Sequence, residues 1–216
     1  MPIYKDRRDA GRRLAELLVE RFAGDDVVVL ALVRGGLPVA IEAARALEAE
    51  LDVFLVRKVG VPGNEELAAG AVASGDVEVV NDDVVGALGA RREELQEVID
   101  RERRELRRRE DLYRGDREPI DVRGRIAILV DDGVATGASM AASVAALRQR
   151  EPARTVVAVP VAPSRARDRL MLAADEVVCA KVEDRLPGVG AAYEAFPQVE
   201  DDEVVALLRE VRGESD

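Results

Sequence analysis

Residues 130–139 read VDDGVATGAS. The aliphatics before them, within 125–130, have the pattern of a strand buried on both faces. That strand ends on two adjacent carboxylates, Asp131 and Asp132, and then on small residues. A strand running through a small-residue turn into a helix leaves backbone N–H groups and a helix dipole facing an anion. Two acids beside such a cradle would repel its phosphate, but they suit hydroxyls, because a carboxylate accepts charge-assisted hydrogen bonds from a diol. The expected ligand therefore carries a phosphate and a vicinal diol a short distance apart, as a ribose 5-phosphate does.

Outward from this stretch the chain alternates strand and helix. Towards the C-terminus, a helix over 137–150 leads to a strand over 155–161, a helix over 164–173 and a strand over 176–180. Towards the N-terminus, an amphipathic helix over 7–22 precedes the run 27–33, a helix over 38–50 and a strand over 52–56. This order implies right-handed βαβ units on a parallel sheet, an α/β fold in which ligands bind beyond the strands' C-terminal ends. Between the two parts, 59–70 reads as a mobile loop with Glu65 and Glu66 facing solvent, and 71–80 as a short hairpin. The stretch 91–113 reads as a charged helix with a thin apolar stripe, and 115–124 as a linker. One domain spanning 1–216 is expected.

Two more polar clusters fall at expected strand ends. Arg34, Gly35 and Gly36 follow the first strand, where the glycines can take dihedrals closed to other residues and Arg34 can fork onto phosphate oxygens. Arg57 and Lys58 end the second, and Lys58 is one of only three lysines among 32 basic residues.

LVDDGVATGAS resembles the phosphoribosyl pyrophosphate (PRPP) signature of the type I phosphoribosyltransferases. LVRGG, VRKVGVPGNEELAAGAV and, more loosely, VGAAYEAFPQV are similar to a bacterial group within that family, with no assigned acceptor. The resemblance implies a parallel sheet flanked by helices, a flexible β-hairpin flap (59–80), a helical insertion (91–113) and a C-terminal hood (181–200). It implies that Asp131 and Asp132 hold the ribose hydroxyls and that Gly133, Ala135, Thr136, Gly137, Ala138 and Ser139 cradle the 5-phosphate. Arg34, Gly35, Gly36, Arg57 and Lys58 would meet pyrophosphate, with Asp131, Asp132 and Lys58 the catalytic group. Tyr193 and Phe196 would stack on the acceptor base. Mg2+ is the implied cofactor, held mostly by ligand oxygens and water near Asp131 and Asp132 rather than by direct side-chain ligands. The same fold could instead serve a non-catalytic regulator that binds PRPP or a nucleotide.

Composition removes other classes. No histidine is present, which excludes Ser-His-Asp and Cys-His mechanisms and histidine metal sites. A net charge of −11, no tryptophan and 3% aromatics argue against a nucleic-acid partner. The N-terminus lacks a signal-peptide core, no run spans a bilayer, and the lone Cys179 sits in an apolar run, so a cytoplasmic protein is expected. The partners are then small molecules, PRPP and an unidentified base. Related enzymes are often dimers, and a homodimer through 91–113 is the corresponding expectation.

Overall fold

The computed structural model describes residues 2–62, 64–80 and 92–213, and of 64–68 the backbone alone. Its centre is a five-stranded parallel sheet in the order β2 (Glu50–Phe54), β1 (Val27–Leu32), β6 (Ile126–Val130), β7 (Arg154–Ala162), β8 (Glu176–Val182). Successive residues of β1 serve opposite faces. Val27, Val29 and Ala31 join one core with helix α1 (Arg7–Phe22) and helix α2 (Leu37–Leu47). Val28 and Leu30 join the other, with α4 (Ala138–Arg148) and α5 (Ser164–Ala173). Both faces are apolar, so the strand reads as a continuous aliphatic run rather than an alternation.

The second strand and the loop after it differ from expectation. β2 stops at Phe54, and Val56–Val61 forms β3 of a separate antiparallel sheet with β4 (Asn64–Ala73) and β5 (Val77–Val80). The corner lies at Leu55, whose N–H donates to the Ser74 hydroxyl at 3.0 Å and whose carbonyl accepts from the Ser74 N–H at 2.9 Å. A fully buried serine thus supplies the bonds that the parallel ladder no longer provides. The expected loop over 59–70 is therefore mostly strand, paired Val59 to Gly70 and Val61 to Asn64. Gly63 and the side chains of Glu65 and Glu66 lie outside the described residues.

Helix α2 ends at Leu47, short of the expected Glu50, because Glu48 turns left-handed (φ 53°) and Glu50 already pairs in β2. The charged helix, α3 (Arg92–Arg114), lies on the hairpin sheet, with Leu95, Ile99 and Leu106 buried in the core. Its polar side reaches across by ion pairs: Arg57 to Glu102 at 2.7 Å, Arg103 to Glu78 at 2.6 Å, Arg107 to Asp76 at 2.8 Å. A last helix, α6 (Asp201–Arg212), was not expected. Three acids fill its first turn, and Gly213 closes it in the left-handed region (φ 68°).

Candidate functional site

Two strand ends, the hairpin and helix α4 bound one cavity of about 230 Å3. Leu32 and Val33 come from the end of β1, Asp131 from the end of β6, and Lys58 and Gly70 from the hairpin. Ala138, Ser139 and Ser143 close it from α4. The parallel topology brings the β1 and β6 ends together because Ala31, next to the last residue of β1, pairs with Val130, the last of β6.

The two turns interlock. A Cβ on Gly36 would lie 2.5 Å from the Leu32 carbonyl oxygen and 2.6 Å from that of Val130. On Gly35 it would lie 2.2 Å from Asp132 Oδ2. Neither glycine has a positive φ, so the expectation of unusual dihedrals is corrected: these positions need glycine because the acidic turn passes too close for any side chain. The Val33–Arg34 peptide is cis.

Beyond Asp132 the chain opens into the small-residue loop. Gly133 is held against Val161 and Val189, and Gly137 takes φ 79° at the start of α4. Arg169 of α5 donates to the Thr136 carbonyl at 3.1 Å and fixes the loop from outside. Ala135, Thr136, Ala138 and Ser139 are exposed. The amides of Ala135, Thr136, Gly137 and Ser139 make no hydrogen bond to any described residue. Unbonded backbone N–H groups at the start of a helix are the donors an anion requires.

The paired acids are not equivalent. Asp131 lines the cavity, and burial, followed by the charge of Asp132, pushes its carboxyl well above the usual carboxylate range. Asp132 is buried and also raised by burial, but Arg7 opposes that shift, its Nε donating to Asp132 Oδ2 at 2.8 Å. No local signal separates Arg7 from Arg8, Arg12 or Arg13, and sequence reading missed it.

Other expected site residues fall in unexpected places. Lys58 lines the cavity, but Arg57 does not; neighbours on a strand face opposite ways, and Arg57 turns to Glu102 of α3. Arg34 donates to Glu200 at 2.9 Å and lies 3.7 Å from Asp201, both at the start of α6. Tyr193, expected to stack on a base, is only 5% exposed. Its ring lies 4.9 Å from Phe196 and 5.5 Å from Tyr4, and its hydroxyl donates to the Asp132 carbonyl, so it supports the acidic turn from below. Phe196 is partly exposed, with the Arg7 guanidinium 3.7 Å from its ring centre.

A magnesium ion prefers hard oxygen ligands and retains several waters. Among the described residues no group of three or more His, Cys, Asp or Glu could cage a metal. Asp131, the one carboxylate among the described residues that line this cavity, fits an ion carried in by phosphate oxygens.

The family model for the "Phosphoribosyl transferase domain" matches residues 3–194. A Mycobacterium tuberculosis (strain H37Rv) protein named "Putative phosphoribosyl transferase Rv0571c" is 45% identical over 208 residues, 96% of this chain and 47% of its own length. The chain thus spans about half the length of the curated relatives it matches. The crystal structure of TT1426 from Thermus thermophilus superposes with TM-score 0.87 at 46% identity, covering 97% of this chain and 99% of that one. AQ2163 from Aquifex aeolicus gives TM-score 0.51 at 12% identity over 87% of this chain and 85% of its own, a likeness of fold alone.

Proposed function

The chain belongs to the phosphoribosyl transferase family, and from that premise we propose that it transfers the 5-phosphoribosyl group of PRPP to a nitrogenous base or related acceptor, releasing pyrophosphate. The observation that carries this reading is the cavity in which Asp131, Lys58 and Ser139 meet, beside the amides of Ala135, Thr136, Gly137 and Ser139, which bond to no described residue.

In this reading the amides and the hydroxyls of Thr136 and Ser139 take the 5-phosphate. Asp131, and Asp132 through the oxygen not bonded to Arg7, accept from the ribose hydroxyls. As the bond from C1 to pyrophosphate breaks, positive charge develops on the ribose and negative charge on the leaving group. Lys58 neutralises the latter, and the acceptor's nitrogen lone pair closes the new glycosidic bond. Arg34 would join Lys58 at the pyrophosphate, which would compete with Glu200 and Asp201 for its charge. Mg2+ supplies further charge neutralisation when bound with PRPP, and Asp131 is the carboxylate that would meet its outer water.

A homodimer through α3 would have mainly the helix's charged outer face to offer, since Leu95, Ile99 and Leu106 are buried within the chain. Among the described residues no helix is long and apolar enough to cross a membrane. The lone, half-buried Cys179 suits a reducing compartment such as the cytoplasm.

Thermal unfolding with PRPP and Mg2+ tests the reading. At 100-fold excess over Kd, PRPP should add about 2.7 kcal/mol, a rise in Tm of roughly 5–10 °C for a chain of this size. The rise should vanish in Asp131→Ala. No rise in the wild type at saturating PRPP sinks the proposal. Binding without pyrophosphate release across a panel of bases would instead identify a PRPP-binding regulator.

A further inference from the structure

Arg7 is the first residue of α1 and is 8% exposed, yet it lies outside every motif that suggested the site. Its guanidinium makes three contacts with separate parts of the molecule. Nε donates to Asp132 Oδ2 at 2.8 Å, Nη1 donates to the Pro197 carbonyl at 2.6 Å, and the group covers the Phe196 ring. Taking a guanidinium and a carboxylate out of water costs several kcal/mol per ion, and good geometry only offsets it. Fold stability is therefore a weak reason for this pair. The place of Asp132 supplies a better one.

The orientation of Asp132 is determined from several sides. Oδ2 occupies the space that a Cβ on Gly35 would fill. The same oxygen meets Arg7, and the backbone carbonyl of Asp132 accepts from Tyr193. Gly35 belongs to the turn after β1, Arg7 to α1, and Tyr193, Phe196 and Pro197 to the segment after β8. Removing Tyr193 would shift a backbone, whereas removing Arg7 would release the carboxylate itself.

We infer that Arg7 is a positioning residue for the ribose site: it holds the Asp132 carboxylate so that its other oxygen faces the ribose hydroxyls, and it ties that carboxylate to the hood at Phe196 and Pro197. The inference rests on the PRPP reading of the cavity. It assigns Arg7 an effect that passes through Asp132, which separates it from a residue that merely anchors the hood.

The experiment is a double-mutant cycle read as the Kd of PRPP with Mg2+, by calorimetry, on protein shown by circular dichroism to be folded. Arg7→Gln should weaken binding by about 10-fold or more, within the range of coupling between contacting residues. In an Asp132→Asn background the same change should cost almost nothing. A hood anchor would weaken binding in both backgrounds, so losses that multiply overturn the inference. Folded Arg7→Gln that binds PRPP as the wild type does overturns it equally. Should Arg7→Gln alone not fold, the comparison of Asp132→Asn with Arg7→Gln/Asp132→Asn still decides, because that double variant leaves no unpaired buried charge. Equal Kd values support the inference, and a weaker double variant overturns it. A wild type that binds no PRPP is a distinct outcome, which fails the reading of the cavity itself and the role of Arg7 with it.

Discussion

The parallel sheet and the hairpin layer beside it share a buried aliphatic core but are braced differently on their outer sides. In the sheet, Val28, Ile128, Leu129 and Val157 are fully buried, each between helices. In the layer, α3 brings a narrow stripe of Leu95, Ile99 and Leu106 to the hairpin and completes the contact with arginine–carboxylate pairs. The site lies where the two meet: the sheet presents Asp131 and the layer presents Lys58 across one cavity. Salt does not screen the burial of aliphatics, whereas it screens partly exposed ion pairs. The acid is thus carried on the sheet, and the lysine on a layer whose buried face is apolar and whose outer contact with α3 is by ion pairs.

The largest expected effect breaks the comparison from the side of the sheet. Leu129→Ala removes a fully buried side chain and should cost about 2–5 kcal/mol in urea denaturation. A loss under about 1 kcal/mol would mean that the sheet does not carry the stability assigned to it.

The next effect lies at the cavity. Burial and the neighbouring Asp132 raise the Asp131 carboxyl above its ordinary value. A carboxyl with a raised folded pKa adds stability while protonated, and that contribution is lost as pH climbs from about 4 through the folded value. Asp131→Asn should therefore stabilise the unliganded protein near neutral pH by about 0.5–2 kcal/mol, a site cost of the kind function imposes. Its advantage should shrink as pH falls towards 4. A Tm difference that stays flat with pH would contradict this.

The smallest effect sharpens the comparison from the side of the layer. Arg103→Gln breaks the pair with Glu78, whose side chains are 27% and 32% exposed. It should cost about 0.2–1 kcal/mol at low ionic strength and less in about 1 M salt, where the screening length is about 3 Å. Equal losses at both salt concentrations would show that Arg103 acts by packing its stem.

Much of this molecule was legible in its sequence where the signal was local. The runs 27–33, 125–130 and 155–161 became strands because a strand buried on both faces admits little but aliphatics. The small-residue loop after Asp132 is exposed, with four of its amides bonded to no described residue, because its residues leave the backbone bare. Sequence reading failed where a residue's role depended on a distant partner. Arg57 and Lys58 looked like one basic pair until β3 placed them on opposite faces. Tyr193 looked like a stacking surface until the fold buried it under Asp132. The acid-rich start and glycine stop of α6 were visible signals that went unread.

The sequence by itself determined the α/β class, the parallel order of strand and helix, and the position of the paired acids and the small-residue loop at a strand end. Each follows from hydrophobic periodicity or from chemistry within about ten residues. Only the tertiary structure decided which of two adjacent acids Arg7 holds, which basic residue lines the cavity, and that Arg7 meets Asp132 across 125 positions of chain. Those outcomes depend on packing between elements far apart in sequence, where arginines that look alike along the chain end in different surroundings.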